Sequence, residues 1–224
     1  FLDADDYWYP DLLQEFFSMI QAFPEQQVFS AAIENENPKT VIPASYSIQK
    51  TADRMVVNYF DASSKESVIW TSCAVFHKSV FEKVGGFDIE LRSGQDTDMW
   101  IRIGLLYPIV FSFKILARYV YDPDSLSKNT EFLNNKLNIL KFFREEETNP
   151  RLKKFLDLNR YSLAIKCKLR DDYMNLSNYT DDIDSRNLTL RKRILLQLPG
   201  YLLRFLLKFN MQLVQLGLSR SVFK

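Results

Sequence analysis

Three carboxylates crowd the head of the chain: Asp3, Asp5 and Asp6, between Phe1-Leu2 and Tyr7-Trp8. Like charges this close repel one another unless a cation stands among them. Carboxylate oxygens are hard ligands that suit Mg²⁺ or Mn²⁺, and ions of this kind commonly hold substrate phosphates as well. The segment therefore reads as a holder of a divalent metal and a diphosphate. The plainer alternative is a solvated acidic turn that caps a helix opening at Pro10. Phe1-Leu2 reads as the end of a buried strand, and open α/β sheets place their ligands where strand ends feed helices.

A second constellation lies far downstream. Val84-Gly85-Gly86-Phe87-Asp88 precedes Gly94-Gln95-Asp96-Thr97-Asp98-Met99-Trp100-Ile101-Arg102. The pattern predicts a helix over 97–106 with Asp96 at its N-terminal boundary. There the carboxylate could cap the helix, act as a base, or do both. Asp98 and Arg102 stand four residues apart, the spacing of a helical ion pair. Trp100 could stack on a sugar or fill the core.

With Leu2-Asp3-Ala4-Asp5-Asp6, this second stretch resembles the family 2 inverting glycosyltransferases of the GT-A fold, over roughly residues 1–127. The resemblance implies an α/β, GT-A-like domain: an incomplete Rossmann-like sheet with flanking helices. It implies transfer of a sugar, with inversion, from a nucleotide-sugar (UDP or another nucleoside diphosphate) to a hydroxyl of a saccharide or lipid-linked acceptor. Asp5 with Asp3 would hold Mg²⁺ or Mn²⁺ on the diphosphate, with Asp6 beside them, and Asp96 would be the general base. Gln95 stands where the family usually has Glu, a departure that touches specificity. Asp122 stands where family members often show His before Pro. It could complete the metal site or simply make an Asp-Pro turn. Ser72 and Cys73, in Thr71-Ser72-Cys73-Ala74, fall where the family lines its sugar pocket; close strand packing is the alternative. The resemblance begins at the Asp-X-Asp motif, so the nucleotide-binding half is expected to be absent. A nucleotidyltransferase-like enzyme and a non-catalytic interaction fragment are the rival readings.

These side chains must be carried by regular elements. Leu12, Leu13, Phe16, Phe17 and Ile20 recur at helical spacing and predict a helix over 10–20 with that face in the core. Strands are expected over 28–33, 40–42, 68–77, 108–113 and 115–121, with a turn at Asn35-Glu36-Asn37-Pro38. Residues 54–60 fit either a strand or a helix. Lys78 to Val84 predicts a short helix ended by Gly85-Gly86 in left-handed backbone. His77, the single histidine, sits at its start and reads as a surface residue.

Bulk properties narrow the field. At 224 residues, 46% hydrophobic and 25% charged, the chain is an ordinary globular protein. Its net charge of +1 gives no field that would recruit nucleic acid. Cys73 and Cys167 have neither metal-ligand spacing nor a disulfide framework. No signal peptide or spanning segment is read, so a cytoplasmic location is expected. Residues 128–184 predict a helical extension interrupted at Asn149-Pro150, with 144–147 as a solvated face and 179–187 as a linker. Residues 185–224 predict basic amphipathic helices in which Arg204, Lys208, Gln212 and Gln215 form one stripe. Such a segment could lie peripherally on the inner face of a membrane or pack on a core.

Overall fold

The computed structural model describes residues 1–37, 40–91, 93–120 and 142–215. The chain divides into two compact units, Phe1–Phe142 and Phe143–Lys224.

Unit 1 is an α/β fold built on a mixed six-stranded sheet. Its centre is a parallel pair of long strands, β2 (Val28–Asn37) and β6 (Ile109–Val120). Short antiparallel strands flank the pair. On β6 lie β1 (Tyr7–Trp8) and β4 (Arg54–Val57); on β2 lie β3 (Thr40–Pro43) and β5 (Ala74–Phe76). The β-branched and aromatic content of the long strands suits a sheet centre. Ser30, Ala31, Val110 and Phe111 are buried there. The two strands expected over 108–121 are one strand. The register slips between Ala31 and Ile33, opposite Ser112 to Ala117, and this bulge hides the continuity from a period-two reading.

Helix α1 (Leu12–Ala22) buries Leu12, Phe16 and Met19 against this sheet. Leu13, Phe17 and Ile20 are exposed, so only part of the expected apolar face is core. Phe1 and Leu2 are exposed and outside any strand, contrary to the buried strand end expected there. The strand expected over 28–33 runs on through Asn35 to Asn37, because Asn37 pairs with Thr40 and Glu34 with Pro43 across a hairpin. Residues 54–60 are both candidates in succession. Strand β4 ends at Val57, and Asn58 caps α2 (Tyr59–Ala62) by accepting from the Phe60 and Asp61 amides.

The strand expected over 68–77 shrinks to β5. Serine hydroxyls replace the sheet partners that its first half would need: Ser63 Oγ accepts the Val68 amide, and Ser30 Oγ donates to the Val68 carbonyl. A 3₁₀ turn at Thr71–Cys73 follows. Helix α3 (Lys78–Val84) forms as expected. Its first turn is capped by His77 Nδ1, and Gly85 ends it at φ +81°, backbone that a residue with Cβ rarely adopts. Helix α4 (Gln95–Leu106) begins two residues early, because Gly94 at φ +82° takes the cap position. Its Gly104 is pressed on α2: a Cβ there would lie 2.7 Å from Tyr59 Cβ.

Unit 2 is helical: α5 (Phe143–Thr148), α6 (Pro150–Leu169), α7 (Tyr173–Thr180), α8 (Leu190–Gln197) and α9 (Gly200–Gln215). Asn149-Pro150 does more than interrupt a helix. Pro150 takes the first turn of α6, and the Asn149 side chain accepts from the Arg151 and Leu152 amides. Residues 144–147 are not all solvated: Glu146 is buried and joined to Arg160. The expected linker over 179–187 is structured too. Tyr179 is buried, and Asp157 accepts from the Asp184 amide and from Asn187 Nδ2. Among the described residues no helix is long and apolar enough to cross a membrane.

Candidate active site

The Asp-rich segment is a tight loop rather than a strand. The Asp6 amide donates to the Asp3 carbonyl at 3.1 Å. Ser72 holds the loop from below: its Oγ accepts the Asp3 amide at 2.9 Å, and its carbonyl accepts from Trp8 Nε1. Trp70 Nε1 donates to Asp6 Oδ2 at 2.9 Å. The turn around Thr71–Cys73 is thus the platform that shapes the carboxylate loop. Ser72 is buried beneath the loop as an anchor, and its hydroxyl is engaged with the Asp3 amide. Cys73 is buried as well, and burial pushes its thiol up to about 12, so it stays protonated and packs as a small apolar side chain. Sequence reasoning missed Trp70 and the anchoring role of Ser72. No local spacing signals either, since both reach the loop across more than sixty residues.

An aromatic cluster brings the second motif to the first. Phe1 packs on Phe76, Phe81 and Phe87, with centroids 6.4, 5.9 and 5.9 Å away. Trp100 of α4 stacks on Phe76 at 5.3 Å with planes 7° apart and meets Phe87 edge-on. Trp100 is 2% exposed. A platform for a sugar needs an open face, so in this structure Trp100 does the packing half of its two expected roles. Arg102 fixes the same helix from its far side. It pairs with the buried Asp98 at 2.7 Å and donates to the Val84 and Gly86 carbonyls at the end of α3. The expected helical pair is present, and it also ties α4 to the glycine turn.

This packing places Asp96 within electrostatic reach of the loop. Burial raises the Asp3 carboxyl above the usual range, and the charges of Asp6, Asp5 and Asp96 raise it further. Asp96 is exposed in the first turn of α4, where its Oδ1 accepts the Thr97 amide at 2.6 Å. Gly94 rather than Asp96 holds the cap position, so the expected cap role does not fall to Asp96, whose Oδ1 also accepts from the Thr97 hydroxyl. Gln95 is half-buried beside it. Asp122 lies outside the described residues.

The donors fit a hard divalent ion. They are oxygens, they carry excess negative charge, and Asp6 Oδ1 is buried with no hydrogen-bond partner among the described residues. Among those residues no group of three or more His, Cys, Asp or Glu side chains is placed to hold a metal ion. Mg²⁺ does not need one: it keeps several waters and is commonly bound through one or two carboxylates plus substrate phosphates. Compared with known proteins, the chain matches no family model and no curated sequence.

Proposed function

We propose that unit 1 carries the acceptor side and metal side of a glycosyl-transfer site acting on a nucleotide-sugar with inversion. One observation supports this reading above the others. Asp3 and Asp96, from sequence positions about ninety residues apart, stand within electrostatic reach, the Asp96 charge adding to the rise of the Asp3 carboxyl, and no Lys or Arg is paired with either among the described residues. A fold keeps such an arrangement when a cationic ligand or a proton transfer uses it.

Asp5 with Asp3 would hold Mg²⁺ or Mn²⁺ on the diphosphate of UDP or another nucleoside diphosphate, with Asp6 oriented alongside by Trp70. A metal there would supply charge stabilisation for the departing diphosphate. Asp96 accepts the proton of the acceptor hydroxyl as its oxygen attacks the sugar carbon. The acceptor is a saccharide or lipid-linked hydroxyl, and the cytoplasm is the compartment where nucleotide-sugars would meet it.

The test is nucleotide release from a panel of nucleoside-diphosphate sugars by the full-length protein, wild type against Asp96→Asn. General-base catalysis typically contributes about 10²–10⁴-fold. Turnover should fall by that factor while Mn²⁺ and nucleotide still bind. Turnover within about threefold of wild type, far below a base contribution, removes Asp96 from the mechanism.

A further inference from the structure

Helices α8 and α9 of unit 2 carry an apolar surface that the unit leaves uncovered. On α9, Tyr201, Phe205 and Phe209 recur every four residues and are 66%, 66% and 51% exposed. The rings of Phe205 and Phe209 stack at 6.4 Å. On α8, Leu190 and Ile194 are 73% and 53% exposed. A soluble helix normally turns its large apolar side chains inward. Here the inward side of α9 is filled already, by Leu203 and Asn210.

The two helices are held firmly on α6. Lys168 donates to the Leu196 and Leu198 carbonyls, and Arg204 binds Asp171 at 2.9 Å and the Leu169 carbonyl at 3.1 Å. Gly200 makes the contact close, since a Cβ there would lie 2.2 Å from the Lys168 carbonyl oxygen. Arg204, one of the residues of the expected basic stripe, is therefore spent on the protein. The outward arc of α9 is aromatic, with Lys208 exposed beside it.

Charge identifies what this arc faces. From Ser185 to Lys224 the sequence contains no Asp or Glu, while Arg191, Lys192, Arg193 and Lys208 border the apolar positions. Asp171, the acid that reaches α9, is paired with Arg204, and the segment over 185–224 itself carries basic charge alone. Aromatic side chains bordered by Lys and Arg match the boundary between acyl chains and anionic headgroups.

We propose that α8 and α9 seat unit 2 on the surface of a membrane containing anionic lipid, with Tyr201, Phe205 and Phe209 entering the headgroup layer and Lys208 and Arg191 at the lipid phosphates. This inference is independent of the chemistry proposed for unit 1.

The test is co-sedimentation of the full chain with vesicles of phosphatidylcholine alone and of phosphatidylcholine with phosphatidylglycerol. Binding is expected to the anionic vesicles only, and to weaken as salt is raised through the screening range. The variant carrying Phe205→Ser and Phe209→Ser removes apolar contact from exposed positions. It should keep its circular dichroism and melting behaviour and bind about tenfold more weakly, or less, per phenylalanine lost. No binding to anionic vesicles overturns the proposal, and so does undiminished binding by the folded double variant. A wild-type dimer that the double variant abolishes, with no vesicle binding by either protein, would assign the stripe to a second copy of the chain instead. If the double variant fails to fold, Lys208→Glu with Arg191→Glu carries the same test, because both side chains are exposed. Anionic-vesicle binding should then fall at low salt, and unchanged binding overturns the proposal.

Discussion

In unit 2, Glu146 and Asp157 are buried with cations set against them. Arg160 binds Glu146 at 2.6 and 2.9 Å and reaches Asp157 at 3.4 Å, and Lys153 binds Asp157 at 2.6 Å. In unit 1, Asp3, Asp5, Asp6 and Asp96 gather with no Lys or Arg paired to any of them among the described residues. Both regions concentrate acidic side chains. Only in the first are the acids paired with cations, and that set joins α5, α6 and the turn before α8 in one network. The second is shaped by neutral groups, with the Ser72 hydroxyl accepting the Asp3 amide and the Trp70 indole donating to Asp6, and its carboxylates have no Lys or Arg paired with them among the described residues. Compensated carboxylates act as struts, whereas carboxylates with no Lys or Arg paired to them leave room for a cationic ligand, the reading proposed for unit 1.

The largest expected effect breaks the compensated side. Arg160 is fully buried, so Arg160→Met leaves the buried Glu146 without its main partner and Asp157 with Lys153 alone. Removing one member of a buried pair costs about 3–5 kcal/mol. Denaturant melts should show unit 2 unfolding earlier by that amount. A variant within about 1 kcal/mol of wild type would mean that the network is not a strut.

Gly104→Ala probes how the uncompensated side is assembled. The new methyl meets Tyr59, and overpacking of this kind costs about 1–3 kcal/mol, partly offset by the better helix propensity of Ala. Because α4 carries Asp96, the variant should also weaken any metal-linked change at the Asp loop. A melting temperature unchanged from wild type would show that α4 is not seated by this contact.

A smaller effect has the opposite sign. The Asp3 carboxyl is raised in the folded protein, so between its ordinary and folded values the native state binds more protons than the unfolded chain. Its charge therefore lowers stability once the pH rises above the ordinary value, and that loss is relieved as the pH falls through the folded value. Asp3→Asn removes the penalty and should raise the melting temperature slightly at neutral pH, while Glu15→Gln should lower it. Arg54 and Ser112 hold Glu15 below its usual range, so its contribution is present at neutral pH and fades as pH falls through the folded value. Thermal melts between pH 3 and 7 read both signs. A destabilised Asp3→Asn would contradict the description of the loop as strained by its own charge.

What the sequence revealed of the site follows the same division. Asp3, Asp5, Asp6 and Asp96 stood out because their residue types and order carry the signal. Trp70 and Ser72 did not, since their roles depend on a turn that folds beneath the loop. Glu146 was hidden in a charge run, and its partner Arg160 lies beyond a helix break, outside the i, i+4 pattern that exposes helical pairs. In the fold, α3 was legible to the residue because its glycine stop is local, although its His77 cap was expected only as a surface residue. The strand expected over 68–77 failed where serine hydroxyls took over from sheet partners, and the single long β6 was split by its bulge.

The most direct test of the central claim is a Mn²⁺ titration of the full chain, followed by the loss of free-ion paramagnetic signal, with and without UDP. Unpaired oxygen donors predict saturable binding that UDP tightens, and binding at least about tenfold weaker in Asp5→Asn, as expected when a charge-assisted ligand is lost. Equal Mn²⁺ binding by wild type and Asp5→Asn, unaffected by UDP, would contradict the account and leave the loop an acidic turn.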